Sequence, residues 1–310
     1  RPANDAAASS FARQDERRRE IKLREFITVT LNGITLGGLY FLVASGFTLV
    51  FGLMRVVNLA HGSLYLLGAY IGWSIADATG NWILAVITAP LIMAVIGIIL
   101  QQGLLRRIQG QDLREAMVTI GVSIVVADLL LAYYGGQSHE FSPPDAINAS
   151  TNLVLADVTY PTFRLFTLGT AVVIGVGLWF LLRHTRLGMI IRAGIDDREM
   201  VSALGINVQL IFAIVFGLGA LLAGLAGIIG GTNLSVGPGD DSLYLLYSLI
   251  TVIIGGMGSV GGAAIGALLV GLVAQYGLAY APTYSVLLTF AMMIIVLAVR
   301  PQGLLGRSSV

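Results

Sequence analysis

The sequence contains no cysteine and a single lysine, and these absences exclude several kinds of chemistry. Without cysteine the chain forms no disulfide bond and offers no thiolate for catalysis or metal binding. The lysine, Lys22, does not follow a glycine-rich stretch that could cradle nucleotide phosphates, so we predict that the chain does not hydrolyse ATP and is not an enzyme. Its three scattered histidines make no convincing zinc site, and no cofactor is predicted.

Charged residues are also scarce, at 11% of the chain, while hydrophobic residues make up 56%. Residues 242–299 contain no Asp, Glu, Lys or Arg over 58 consecutive positions. A charge at the centre of a bilayer costs about 2.5–3.5 kcal/mol, and a spanning helix needs about 20 apolar residues. This run therefore predicts two or three consecutive passes through a lipid bilayer.

Similar apolar segments recur along the chain, and none shows the alternation of a barrel strand. We predict an all-α polytopic membrane protein with about eight transmembrane helices plus a broken or re-entrant segment. The transmembrane domain spans 26–300 in this prediction, between an N-terminal tail at 1–25 and a C-terminal tail at 301–310. Segment 135–164 is rich in turn residues and is predicted to be a long extracytoplasmic loop.

The distribution of basic residues sets the predicted orientation. Of the 18 lysines and arginines, 16 fall in the 1–25 tail, the 101–115 loop, the 183–208 loop and the C-terminal end. Basic residues favour the cytoplasmic side of a membrane. All four regions, and therefore both termini, are predicted to be cytoplasmic.

The same distribution predicts a break in the membrane segments. Three apolar segments lie between the tail and the 101–115 loop, whereas two cytoplasmic regions need an even number of crossings. Residues 52–63, where glycines and polar residues separate two apolar runs, are the predicted break. The spacing there is repeated later in the chain, which is compatible with an internal inverted repeat or with chance among 39 glycines. The matched positions are Gly52, Val56 and Gly62 with Gly256, Val260 and Gly266.

Two polar residues beside this break are the candidates for a substrate pathway. Asn58 and His61 are three positions apart, so they share a face if the stretch is helical. They either line a route for a polar substrate or form a satisfied pair that holds the break together. Asp128 is the one acidic residue deep in an apolar segment, and we interpret it as a water-exposed carboxylate rather than a proton relay.

The 183–208 loop contains a predicted short helix at 196–207. Asp196 and Asp197 suit its N-terminal end, and Gly205 suits the left-handed turn that ends it. A small apolar face would be available for docking another protein, although an ordinary connector is the alternative. That face consists of Met200, Ala203 and Leu204.

Short motifs follow one another in a fixed order from about residue 27 to 307. They are Asn32-Gly33-Ile34-Thr35-Leu36-Gly37, Asn58-Leu59-Ala60-His61-Gly62, Asp196-Asp197-Arg198-Glu199-Met200 with Ala203-Leu204-Gly205-Ile206-Asn207, Gly255-Gly256-Met257-Gly258-Ser259-Val260-Gly261-Gly262, and Arg300-Pro301-Gln302-Gly303-Leu304-Leu305-Gly306. Together these motifs resemble those of the LivH-type permeases of branched-chain amino-acid ABC transporters.

The resemblance implies a permease subunit of an importer in the bacterial inner (plasma) membrane. Such a subunit moves a small polar solute, for example a branched-chain amino acid, by alternating access. The implied partners are two cytoplasmic ATP-binding subunits, a second permease (LivM-like or an identical copy) and a periplasmic solute-binding protein; no nucleic acid is expected. The resemblance assigns ATPase coupling to Asp196, Asp197, Glu199, Met200, Ala203, Leu204 and Gly205.

Two questions stay open at the level of sequence. Relatives of this kind also carry urea, short amides and aromatic acids, so the substrate is not fixed. The residues themselves also allow a self-sufficient secondary transporter or channel for a small polar solute, which would need no ATPase partner.

Overall fold

The structure, a computed structural model, describes residues 2–54, 57–153, 158–196 and 198–306. The described residues are overwhelmingly helical, which confirms the prediction of an all-α polytopic membrane protein. The helices are α1 (Pro2–Met54), α2 (His61–Thr79), α3 (Trp82–Gly103), α4 (Asp112–Tyr134), α5 (Asp145–Asn148), α6 (Thr162–His184), α7 (Arg186–Asp196), α8 (Arg198–Ala203), α9 (Val208–Leu234), α10 (Asp240–Gly255), α11 (Val260–Tyr280) and α12 (Ser285–Val299).

Strand structure in the described residues is confined to one hairpin-like pair in the 135–164 segment. Strands β1 (Ser150–Leu153) and β2 (Val158–Pro161) are antiparallel, with Ser150 opposite Pro161 and Leu153 opposite Val158. Short 3₁₀ turns lie at Leu105–Arg107 and Pro282–Tyr284.

Seven of the described helical segments are long and apolar enough to cross a membrane: Arg17–Gly52, Trp82–Arg107, Asp112–Tyr134, Thr162–His184, Val208–Leu234, Val260–Tyr280 and Pro282–Val299. Two further helices are buried in the bundle. Helix α10 has 16 residues and is slightly short for a complete span, whereas the 19 residues of α2 fall within the usual range. Helix α2 follows the predicted break at 52–63, whereas the shortness of α10 was not predicted.

Helices α1 and α9 form the centre of the bundle, and small residues allow neighbouring backbones to approach them closely. A Cβ atom at Gly37 would lie 2.9 Å from the carbonyl oxygen of Ala267 in α11, and a Cβ atom at Gly68 in α2 would overlap Gly224 in α9. This is the packing expected where lipid removes the hydrophobic drive between helices. Helices α4, α6 and α12 are mostly exposed and form the outside of the bundle.

Side-chain contacts give the direction of α1. Near the beginning of its apolar part, Thr30 Oγ1 lies 2.7 Å from Tyr276 Oη, and Thr35 Oγ1 lies 2.9 Å from Oη of Tyr160 in the 135–164 segment. We call this end of the bundle the tail face. At its far end, Gly52 lies against Gly258 in the connection between α10 and α11.

The opposite end of the bundle, which we call the C-terminal face, carries the other basic regions. Leu305 donates its backbone N–H to the carbonyl oxygen of Gly255, which fixes the C-terminal residues there. Gln209 at the start of α9 donates to Gln109 Oε1 over 2.6 Å, which joins the 101–115 and 183–208 loops.

The two ends of the chain enter the bundle at different faces, whereas the prediction placed both termini on one side of the membrane. The 1–25 tail leads into α1 at the tail face, whereas residues 300–306 lie at the C-terminal face. Helices α1, α2 and α3 alternate in direction, so the tail and the 101–115 loop are at opposite ends of the bundle. The direction of α1 within the bundle is fixed by its packing against α6, α9 and α11.

Candidate functional site

Helices α2 and α10 begin side by side in the interior of the bundle. A Cβ atom at Gly62 would overlap the carbonyl oxygen of Asp241 and lie 2.8 Å from Leu245 Cβ, so glycine permits this contact. One turn further on, the rings of Tyr65 and Tyr244 have centroids 4.2 Å apart. The positive ends of two helix dipoles therefore meet inside the protein, an arrangement that transporters use at substrate sites.

Asn58 holds the non-helical turn that precedes α2. Its side chain is buried, and Oδ1 accepts the backbone N–H of Ala60 over 3.1 Å. Its carbonyl oxygen accepts from the N–H of His61 over 3.2 Å. The neighbouring N–H of Leu59 donates to Thr119 Oγ1 of α4 over 3.2 Å. These bonds satisfy backbone groups that would otherwise be unpaired at membrane depth.

His61 fixes the start of α2 against α1. Its side chain is fully buried, and Nε2 donates to the carbonyl oxygen of Val43 over 2.9 Å. The ring meets Phe47 edge-on, with centroids 5.6 Å apart, and occupies space left by Gly46. Asn58 and His61 thus both face protein, Asn58 in the non-helical turn and His61 at the first position of α2.

A cavity of about 490 Å³ lies beside this turn, between α2, α4 and the start of α10. Asn58 and His61 are not among the residues that line this cavity. The lining includes two carboxylates, Asp128 and Asp241, of which the sequence argument had singled out only Asp128. Asp241 was missed because Gly237-Pro238-Gly239-Asp240-Asp241 looks like a surface turn, and its contact with Gly62 joins residues far apart in the chain. The lining residues are Leu59, Leu66, Tyr70, Ile120, Ser123, Ile124, Ala127, Asp128, Leu130, Leu131, Pro238, Gly239, Asp241, Ser242 and Leu245.

The second candidate site is the 183–208 loop, in which α7 is tied firmly to the end of α6. Thr185 Oγ1 accepts the N–H of Gly188 over 3.1 Å and donates to the carbonyl oxygen of Leu181 over 2.6 Å. Arg192 donates to the carbonyl oxygen of Leu182. Ile191 is buried against the bundle. These contacts make the α6–α7 corner rigid.

Helix α8 follows this corner and presents an exposed apolar face. Met200 and Leu204 are 60% and 72% exposed, and Ala203 lies exposed between them, while Val201 is buried on the opposite side. Gly205 has φ of 80°, the left-handed conformation predicted for it, and the N–H of Ile206 donates back to the carbonyl oxygen of Val201 over 3.4 Å.

Three acidic residues were also assigned to this site. Asp197 lies outside the described residues. The backbones of Asp196 and Glu199 belong to α7 and α8, respectively.

Within the described part of the chain, no group of three or more His, Asp or Glu side chains could hold a metal ion.

Comparison with known proteins gives a consistent result. The family model described as "Branched-chain amino acid transport system / permease component" matches residues 29–297. The chain is 30% identical over 302 residues to the high-affinity branched-chain amino acid transport system permease protein LivH of Salmonella typhimurium, covering 92% of this chain and 97% of the relative. It is 28% identical over 304 residues to BraD of Pseudomonas aeruginosa, covering 93% and 98%.

A more distant similarity connects the chain with a sugar importer. It is 30% identical over 251 residues to the ribose import permease protein RbsC of Escherichia coli strain K12, covering 74% of this chain and 71% of the relative. No solved structure matches the chain significantly. The match of the family model over most of the chain, together with the buried polytopic bundle, shows that the chain belongs to the family of branched-chain amino acid transport system permease components.

Proposed function

We propose that this permease imports a branched-chain amino acid as part of an ABC transporter in the bacterial inner membrane. The complex would contain a second permease, either LivM-like or an identical copy, two ATP-binding subunits and a periplasmic solute-binding protein. The substrate is inferred from the names of relatives such as LivH and BraD, which are permeases for branched-chain amino acids.

The observation that carries this proposal is the exposed apolar face of α8, whose Val201 is buried on the opposite side. Met200, Ala203 and Leu204 form an exposed apolar face, and the helix before it, α7, is tied to the end of α6 by hydrogen bonds of the Thr185 and Arg192 side chains. A short helix held in this way can transmit a rigid-body movement to the membrane helices, whereas a flexible connector cannot. The face therefore suits a groove on an ATP-binding subunit.

The orientation follows from the basic residues at the C-terminal face. Three of the four basic regions, the 101–115 loop, the 183–208 loop and residues 300–306, lie there. The positive-inside rule makes this face cytoplasmic. The tail face, with the 135–164 segment and the 1–25 tail, is then extracytoplasmic, and it is the face that would receive the solute-binding protein.

Reconstitution tests the proposal directly. The permease is placed in proteoliposomes with its ATP-binding subunits and second permease, and uptake of labelled L-leucine is measured with and without solute-binding protein. We expect uptake that needs both ATP and the binding protein. Uptake driven by an ion gradient with the permease alone would instead support a self-sufficient transporter. A panel of urea, short amides and aromatic acids, delivered by the same binding protein, tests the substrate class.

A further inference from the structure

The cavity beside the α2 turn combines apolar walls with buried negative charge. Its volume of about 490 Å³ falls in the range of about 300–1,000 Å³ that small-molecule sites occupy. Most of its wall is aliphatic, contributed by α2, α4 and α10. These residues include Leu59, Leu66, Ile120, Ile124, Leu131 and Leu245.

Asp241 is the carboxylate that the fold buries at this cavity. Its side chain is only 9% exposed, and its recorded hydrogen bond is a 3.5 Å contact from Ser242 Oγ to Oδ2, at the limit for such a bond. Burial of a carboxylate without a strong partner is costly. A ligand that enters the cavity can therefore gain free energy by supplying a cation or a donor to Asp241.

Asp128 adds a second negative charge from α4, one of the candidate membrane spans. Its side chain is exposed, and within the described ranges it has no salt bridge or hydrogen bond. An unpaired acidic residue in a membrane segment is expensive, and such residues usually mark a substrate or ion pathway. The two carboxylates come from different helices and line the same space.

Tyr70 contributes an aromatic surface to the cavity, and two neighbouring rings hold it in place. It stacks on Tyr134 with centroids 4.4 Å apart, and His139 meets it edge-on at 5.7 Å. An aromatic face beside carboxylates attracts an ammonium group and excludes an anion. Aliphatic walls next to these groups suit the branched hydrocarbon of the same molecule.

We propose that this cavity is a transit site for an aliphatic amino acid, in which Asp241 recognises the α-ammonium group, Asp128 reinforces the negative potential and the aliphatic wall receives the side chain. The N-terminal end of α10 meets the cavity at Gly239, where its dipole favours the substrate carboxylate. This inference rests on the proposed function, since it concerns the same substrate. It adds the specificity-determining residues and their place in the membrane domain.

The absence of cysteine makes the site directly testable. Ser123, which lines the cavity from α4, is replaced by cysteine in the assembled complex in proteoliposomes. The rates of modification by cationic aminoethyl and anionic sulfonatoethyl methanethiosulfonate are then measured. We expect the cationic reagent to react faster, and L-leucine to slow its reaction. Thr283→Cys, at the exposed connection before α12, is the control that should show neither effect.

Neutralising the carboxylates then identifies the recognising groups. In the Ser123→Cys background, Asp241→Asn should raise the L-leucine concentration needed for protection by about tenfold or more, because a hydrogen bond to a charged partner contributes about 1.5–3 kcal/mol. Asp128→Asn should lower the preference for the cationic reagent. Asp77→Asn, which removes an exposed carboxylate of α2 away from the cavity, should change neither quantity. Should Asp241→Asn fail to assemble, Asp128→Asn decides, because the exposed side chain of Asp128 makes no hydrogen bond or salt bridge within the described ranges.

Two outcomes overturn the inference. One is protection of equal strength by 2-hydroxy-4-methylpentanoate, which lacks the ammonium group. The other is unchanged protection and reagent preference in both carboxylate variants. Labelling needs no ATP turnover, so protection and import are independent readouts. Protection without leucine import contradicts the proposed function and leaves the cavity site standing, whereas import without protection contradicts the cavity site alone.

Discussion

Gly62 shows how one residue permits helices α2 and α10 to meet. In an ordinary helix, replacing glycine by alanine stabilises the helix by about 0.5–1 kcal/mol. At Gly62 the added methyl group would overlap the carbonyl oxygen of Asp241, and backbone atoms cannot move aside as a flexible side chain can. The helical gain is therefore outweighed by the loss of close packing between α2 and α10.

We expect Gly62→Ala to lower the thermal unfolding midpoint of the purified permease by several degrees, since overpacking a well-packed site costs about 1–3 kcal/mol. Gly169→Ala is the matched control, because a Cβ atom at Gly169 in α6 meets nothing within 4 Å. That variant should be neutral or slightly stabilising. The midpoints are measured by size-exclusion chromatography after heating. Equal midpoints for the two variants would show that α2 and α10 do not approach as described.

Asn58 is predicted to shape the pathway without contacting the substrate. Asn58→Ala removes the acceptor for the N–H of Ala60, and an unsatisfied buried donor costs about 1–3 kcal/mol. We expect less folded permease and a lower maximal uptake rate, with an unchanged substrate concentration at half-maximal uptake. Asn58→Ser, whose hydroxyl can serve the same turn, should recover most of the folded protein. A changed half-maximal concentration in either variant would place Asn58 in contact with the substrate.

At the scale of elements, the sequence was a good guide to helices and a poor guide to how they meet. Apolar length predicts the spans, and the left-handed turn at Gly205 was predictable because glycine after a short apolar face is a local signal. The contact of Gly62 with Asp241 was not predictable, because it joins segments nearly 180 positions apart and depends on packing. For the same reason, the cavity and the role of Asp241 in its wall appear only in the folded chain.

Helix α8 carries the prediction about coupling. A bulky charge at Ala203 would stand in the middle of the exposed face between Met200 and Leu204, where a partner groove would have to bury it unpaired. We expect Ala203→Arg to abolish the ATP hydrolysis that loaded binding protein stimulates, while the permease remains folded and inserted in the membrane. The measurement is stimulated ATPase activity in proteoliposomes.

A matched control separates this effect from the addition of charge at the C-terminal face. Gln111→Arg places the same side chain at an exposed position in the 101–115 loop, just before α4. It should leave stimulated hydrolysis intact. If Ala203→Arg assembles and couples normally, the docking surface is not on α8. If Ala203→Arg couples normally and Gln111→Arg loses stimulated hydrolysis, the docking surface is in the 101–115 loop.

At the scale of the whole molecule, the packing of α1 decides at which end of the bundle the tail lies. The bonds of Thr30 and Thr35 place the start of α1 beside Tyr276 and Tyr160, at the end of the bundle that carries the 135–164 segment. The loops with the remaining basic clusters meet at the other end. The tail carries acidic residues among its seven basic ones, so its composition alone exerts a mixed preference.

Single cysteines in this cysteine-free chain can measure that orientation in intact spheroplasts. Ile21→Cys at the exposed start of α1 and Ser138→Cys in the 135–164 segment should both react with an impermeant thiol reagent added outside. Ser202→Cys in α8 should react only after the membrane is permeabilised. Because α1 crosses the bundle once, Ile21 and Ser202 must be on opposite sides if the helix packs as described. Protection of both Ile21→Cys and Ser202→Cys from external reagent would place the tail in the cytoplasm and would require α1 to leave the bundle by a different route.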